Sequence, residues 1–249
     1  MKSWYKNLFL RGIVSAVSLL GLTLIAIPGT SPASASTSTS TPLSVPPVPA
    51  AGSSVASWQS WASAQQEAMQ STSPLSLVTP TPGCTNTSGS LEPVVSTGAG
   101  GIPAGIVTDA LVLVGSCTTR ATNSQATGGI SPAISSYCPN MDGCNYGSAT
   151  NGVVAVGTAT VNGNVNYMAA AYTYTASGSG YTAHTELGTV SSGCATGSLV
   201  ASSSSASLST GQYVELLWGP RNGSNTWSST GWHYTGSGYQ DLGTVCGMW

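Results

Sequence analysis

Charge is scarce in this chain: only 5% of its 249 residues are Asp, Glu, Lys or Arg, where an ordinary globular domain carries roughly a quarter. Lysine occurs only at Lys2 and Lys6, and phenylalanine only at Phe9. Beyond residue 35 the cations are Arg120 and Arg221, set against all seven acids. Neutralising a phosphate backbone needs clustered Lys and Arg, so nucleic acid is excluded as a partner class. Anionic membrane surfaces are excluded for the same reason. Lysine chemistry is absent from the body of the chain.

Long apolar runs are also scarce, and the one present is at the start. Lys2, Lys6 and Arg11 precede an apolar stretch over 13–27, and Ala33-Ser34-Ala35 follows. That order of charge, apolar run and small residues reads as a secretory signal over 1–35, cleaved to leave an extracellular protein. The run falls short of the roughly 20 residues that span a bilayer. No membrane association is expected after cleavage.

Six cysteines remain, Cys84, Cys117, Cys138, Cys144, Cys194 and Cys246. An even set in an exported chain is most simply three disulfides. Pro139 and Asp142-Gly143 make a turn between Cys138 and Cys144. The favoured pairs are Cys138 with Cys144, Cys84 with Cys117, and Cys194 with Cys246. Neither His lies near the close pair in sequence, so no metal site is expected.

The segment 36–52 is Ser, Thr, Pro and Ala with few larger apolar residues, too poor to offset its ordering entropy, and reads as a disordered linker. Over 53–83 come a helix and a Pro-rich connector. Ser53 or Ser54 caps a stretch from Val55 to Gln70 free of Gly and Pro, with Trp58, Trp61, Ala62, Gln65 and Met69 on one side. From Cys84 to the end the texture is short apolar or Thr-rich runs separated by Gly, Asn and Ser. Strands are expected at 110–115, 153–161, 165–175, 199–208 and 212–218. Asn162-Gly163-Asn164 reads as the turn of a hairpin. The expected fold is therefore all-β, an antiparallel β-sandwich or jelly-roll-like domain over 84–249.

An internal duplication is expected within it. Asn162-Gly163, Tyr172-Thr173-Tyr174-Thr175, Gly178-Ser179-Gly180-Tyr181, Leu187-Gly188-Thr189-Val190 and Cys194 recur in order as Asn222-Gly223, Trp232-His233-Tyr234-Thr235, Gly236-Ser237-Gly238-Tyr239, Leu242-Gly243-Thr244-Val245 and Cys246. The units lie near 151–194 and 211–246 and read as two three-stranded meanders.

The aromatics beyond residue 35 are all Tyr and Trp, rings that carry a polar handle. Spacing by two places Tyr172 with Tyr174, and Trp232 with Tyr234, on one sheet face each. Such pairs either pack the core or offer platforms on which sugar rings stack. For catalysis, proton-moving groups are few, no GxSxG elbow surrounds any Ser, and His184-Thr185-Glu186 lacks the partners of a zinc deaminase or HExxH site. Glu186 and Asp241 hold equivalent places before LGTV, so one cleft shared by both is the arrangement a hydrolase would need, with Glu215 behind them. Otherwise the acids guard strand edges. With so few ionisable groups, stability is expected to depend weakly on pH and to tolerate acid.

These readings converge on a secreted, acid-tolerant extracellular binding or structural surface protein without a cofactor. Its expected partner is a polysaccharide or cell-wall surface met through Tyr and Trp faces. An extracellular hydrolase with paired carboxylates is the alternative.

Overall fold

Alternating apolar positions in the strands are satisfied by two antiparallel sheets packed face to face, in a computed structural model that describes residues 47–118, 137–190, 193–194, 197–221 and 225–249. The signal reading, most of the linker, Arg120 and the repeat turn Asn222-Gly223 lie outside the described residues. One helix, α1 (Val55–Gln70), precedes the strands. It starts where expected because Ser54 Oγ accepts a hydrogen bond from Ser57 N at 3.2 Å. Trp58, Trp61, Ala62, Gln65 and Met69 are buried on one side.

Among the described residues eleven strands follow: β1 (Cys84–Val95), β2 (Val107–Cys117), β3 (Gly143–Ala149), β4 (Gly152–Val161), β5 (Asn164–Tyr174), β6 (Tyr181–Val190), β7 (Ser198–Ser202), β8 (Ala206–Leu208), β9 (Gln212–Trp218), β10 (Thr226–Tyr234) and β11 (Tyr239–Met248). The larger sheet runs β1-β2-β9-β5-β4-β3, and the smaller β11-β10-β6-β7, with β8 also on β6. Asn162 and Gly163 adopt φ of 49° and 76°, the positive values a two-residue turn demands, and join β4 to β5 as expected.

Between the sheets lie Val112, Val154, Val156, Met168, Ala170, Tyr172, Val214 and Leu216 from the larger, facing Ala183, Leu187, Val200, Leu208, Trp227 and Leu242 from the smaller. The sheets come close at Gly231, where a Cβ would lie 2.8 Å from Tyr172 Cδ2. A second apolar layer covers the outer face of the larger sheet. Met69, Leu77, Val78, Cys138 and Met141 rest there on Leu111, Leu113, Ala155, Tyr167, Ala169, Ala171 and Leu217. Among the described residues no such layer lies over the outer face of the smaller sheet.

All three disulfides pair as expected: Cys84–Cys117, Cys138–Cys144 and Cys194–Cys246. The first joins register partners on β1 and β2. Two expectations change. The segment 199–208 is not one strand, because Ser203–Ser205 bulge away from β6 between β7 and β8. The two matched sequence units also fold differently: β10 and β11 form a hairpin within the smaller sheet, whereas β5 and β6 lie in opposite sheets. Similar local sequence is thus read out differently by its packing partners, and the units are not two equivalent meanders.

Candidate functional site

The bulge at Ser203–Ser205 opens the uncovered face beside His184. Ser203 N donates to Thr185 O at 2.9 Å, and Thr185 N donates to Ser203 Oγ at 3.1 Å. The chain is thereby held to β6 while its next residues swing outward. A cavity of about 500 Å³ results, lined by His184, Glu186, Ser202, Ser203, Ser204, Ser205, Trp232 and Tyr239.

Strand register explains the composition of this wall. Ala183, Thr185 and Leu187 point to the core, so His184 and Glu186 point outward. Trp232 is the cross-strand partner of His184, and Tyr239 is that of Tyr234. Trp232 Nε1 donates to Glu186 Oε2 at 2.8 Å, and Glu186 Oε1 lies 3.7 Å from His184 Nε2. His184 is buried beneath the rings, edge-on to Tyr239 at 4.4 Å and parallel to Trp232 at 6.3 Å. Its Nδ1 has no hydrogen-bond partner among the described residues. Tyr239 OH shares a 2.8 Å hydrogen bond with Ser205 Oγ. Tyr234 continues the aromatic surface at 5.2 Å from Tyr239, and both rings are exposed.

The structure separates the two aromatic pairs. Trp232 and Tyr234 lie on the open face. Tyr172 and Tyr174 face the inter-sheet core and offer no surface platform. Tyr172 OH donates to Thr150 O, and Tyr174 OH donates to Ser177 O. Tyr181 stacks on Tyr174 at 4.6 Å and on His233 at 4.0 Å, so this aromatic row bridges the sheets. Burial, with Tyr181 beside it, drives the Tyr172 phenol far above its ordinary range.

The carboxylates are also separated. Glu186 lines the cavity, but Asp241 does not: it is exposed and its Oδ1 accepts from Gly243 N at 2.7 Å, fixing its own bend. The arrangement expected of a paired-carboxylate cleft is therefore not formed. Glu215 sits on the outer face of the larger sheet, fully buried, and accepts a hydrogen bond from Asn140 Nδ2. Its other oxygen, Oε1, has no partner among the described residues. Burial pushes its carboxyl well above the usual range, only partly countered by Asn140, and so favours the protonated form. Weak dependence of stability on pH no longer follows, because one buried acid suffices to create it. Beside it Tyr213 donates to Asn86 Oδ1 and is likewise pushed upward by burial and by Glu215. Tyr167, buried under α1, accepts from Gln65 Nε2 at 2.7 Å and is pushed up to about 12 by burial.

Tyr239, His184 and the serine bulge are the members of the cavity that sequence reasoning missed. The signal for them was the Ser202–Ser205 run, four consecutive serines that make a poor continuous strand. Among the described residues no three His, Cys, Asp or Glu side chains gather to hold a metal ion, and no helix is long and apolar enough to cross a membrane. Comparison with known protein families, curated proteins and solved structures returns no match for this chain.

Proposed function

We propose that this is a secreted binding protein whose open sheet face holds a neutral polysaccharide or cell-wall surface through Trp232, Tyr234 and Tyr239. The observation that carries the reading is the cavity beside Trp232, where the partly exposed Trp232 ring and the exposed Tyr239 ring adjoin a carboxylate and several hydroxyls. Aromatic faces stack on the apolar faces of sugar rings, and a small number of placed polar groups fixes orientation. Glu186 and the serines supply acceptors and donors for ligand hydroxyls. Among the described residues no Lys or Arg lines the cavity, so an anionic polymer would meet Glu186 without a counter-charge from them. Export accounts for the leader-like segment 1–35 and suits a chain with three disulfides.

The test is retention of the purified mature protein on insoluble cellulose, chitin and isolated cell walls, in low and high salt. Retention on at least one of them should survive high salt, since stacking rather than charge drives it. Trp232→Ala should abolish it while the protein stays folded, its stability lowered by about 1 kcal/mol or more with the loss of the Glu186 hydrogen bond. A wild type retained by none of these materials, or a Trp232→Ala variant retained as well as wild type, overturns the reading.

A further inference from the structure

The serine bulge that walls the cavity beside Trp232 has a second hollow on its other side. Ser204 and Ser205 also line a second cavity of about 390 Å³, with Ser88, Gly89, Ser90, Val112, Val114, Ala206 and Ser207. This second space lies at the open edge of the sandwich, where β1 and β2 of the larger sheet meet β8 of the smaller. Val112 and Val114 belong to the core or pack against it and give the space an apolar floor. Serines from both sheets form its sides. The two sheet edges are tied here: Ser204 N donates to Glu92 Oε2 at 3.0 Å, and Ser90 Oγ donates to Glu92 Oε1 at 3.3 Å. The bulge is thereby fixed to both sheets and makes a low saddle between two hollows.

We infer that the two cavities form one groove across the Ser204–Ser205 saddle, and that its occupant is a linear, neutral, polyhydroxylated chain long enough to fill both. This inference rests on the binding role proposed for the Trp232 cavity and adds chain length to it. The chemistry of the second cavity argues for a sugar unit, since an apolar floor meets the C–H face of a ring and hydroxyl walls meet its edge. Glu186 and Glu92 flank the saddle and no Lys or Arg among the described residues lines either cavity, so the same groove disfavours a uronic acid or phosphorylated polymer. Ser88, Ser90 and Ser207 are exposed, which leaves this end of the groove open for the chain to continue.

The experiment titrates the mature protein with cello-oligosaccharides and chito-oligosaccharides from dimer to octamer, alongside a Ser207→Trp variant that fills the second cavity. Because Ser207 is exposed, this substitution leaves the fold intact, and Ser88→Tyr, at another exposed position outside the Glu92 tie, serves as a second obstruction from the opposite wall. In at least one series, affinity should climb with length by about tenfold or more beyond what the shortest bound oligomer shows. Either substitution should cancel that gain and leave the shortest ligand unaffected. Binding that does not depend on length, or a gain that both substitutions leave intact, overturns the extended groove while the Trp232 site stands. Absence of binding at every length in both series overturns the groove together with the binding role on which it rests.

Discussion

Trp232 Nε1 donates to Glu186 Oε2 at 2.8 Å across the β6–β10 pair, so the acid orients the ring that faces solvent. That hydrogen bond fixes a side chain that packing leaves partly exposed. One residue expected to act in catalysis is thus a positioning group for a residue expected to act in binding.

Glu186→Ala should therefore weaken polysaccharide retention without touching any aromatic ring. Losing one side-chain hydrogen bond at the rim of the cavity should cost the fold about 1 kcal/mol. Glu186→Gln keeps an acceptor oxygen for the indole and should keep most of the retention. Binding isotherms beside thermal midpoints decide the matter. Equal loss in both variants would show that the charge of Glu186, not its grip on Trp232, is what the ligand needs.

The two aromatic pairs should respond oppositely to truncation. Tyr172 is fully buried between the sheets, so Tyr172→Ala should destabilise by about 3 to 5 kcal/mol, the usual cost of deleting a buried aromatic side chain. Tyr234 is 43% exposed, and Tyr234→Ala should change stability by no more than about 0.5 kcal/mol. Urea unfolding of both variants checks this. Comparable losses would mean that the open face is covered in solution.

The helix was legible because its capping serine and its buried stripe are local signals, and the β4–β5 hairpin because Asn-Gly leaves few alternatives. The disulfides followed from the turn between Cys138 and Cys144, from the order of Cys84 and Cys117, and from the matching ends of the two repeat units at Cys194 and Cys246. The surroundings of β5 were not legible. Residues 167–174 are buried on both faces of the strand, so Tyr172 and Tyr174 carry no alternation that would say which side meets water. What covers the outer face of the larger sheet, the 74–83 connector and the Cys138–Cys144 loop, is remote in sequence from the strands beneath. For that reason Glu215 read as a reserve carboxylate behind Glu186 and Asp241, and its burial went unseen. The repeat misled in a similar way, since LGTV records a preference for strand but not the sheet it joins.

Removing the disulfides singly should give an order set by loop length. Cys138 and Cys144 are 6 residues apart and Cys194 and Cys246 are 52 apart. On the chain-entropy account their loss costs about 2 and about 4 kcal/mol respectively. Paired Cys→Ala variants, unfolded in urea, should rank accordingly. The reverse order would show that the shorter loop acts chiefly by holding Asn140 over Glu215, an enthalpic role that loop entropy does not include.

Glu215 gives stability a dependence on pH whose sign is fixed by its burial. In the unfolded chain this acid ionises near its ordinary value of 4.5, whereas the folded protein holds it protonated well above that. Below about 4.5 both states carry the proton, and the folded state suffers no penalty from this residue. As pH rises further the unfolded chain releases the proton and the folded chain does not, so stability falls by at most about 1.4 kcal/mol per pH unit until the folded group ionises too. The protein should thus be more stable in mild acid than at neutrality. Glu215→Gln removes the ionisation and leaves an oxygen to accept from Asn140 Nδ2. Thermal midpoints measured from pH 3 to pH 8 should decline above about 4.5 in the wild type, and the decline should flatten in the variant. The two proteins should be closest in stability at the acid end and differ most at neutrality, with the variant the more stable. Parallel curves would show that Glu215 does not carry the dependence, and a wild type whose midpoint rises toward neutrality would reverse the sign argued for it.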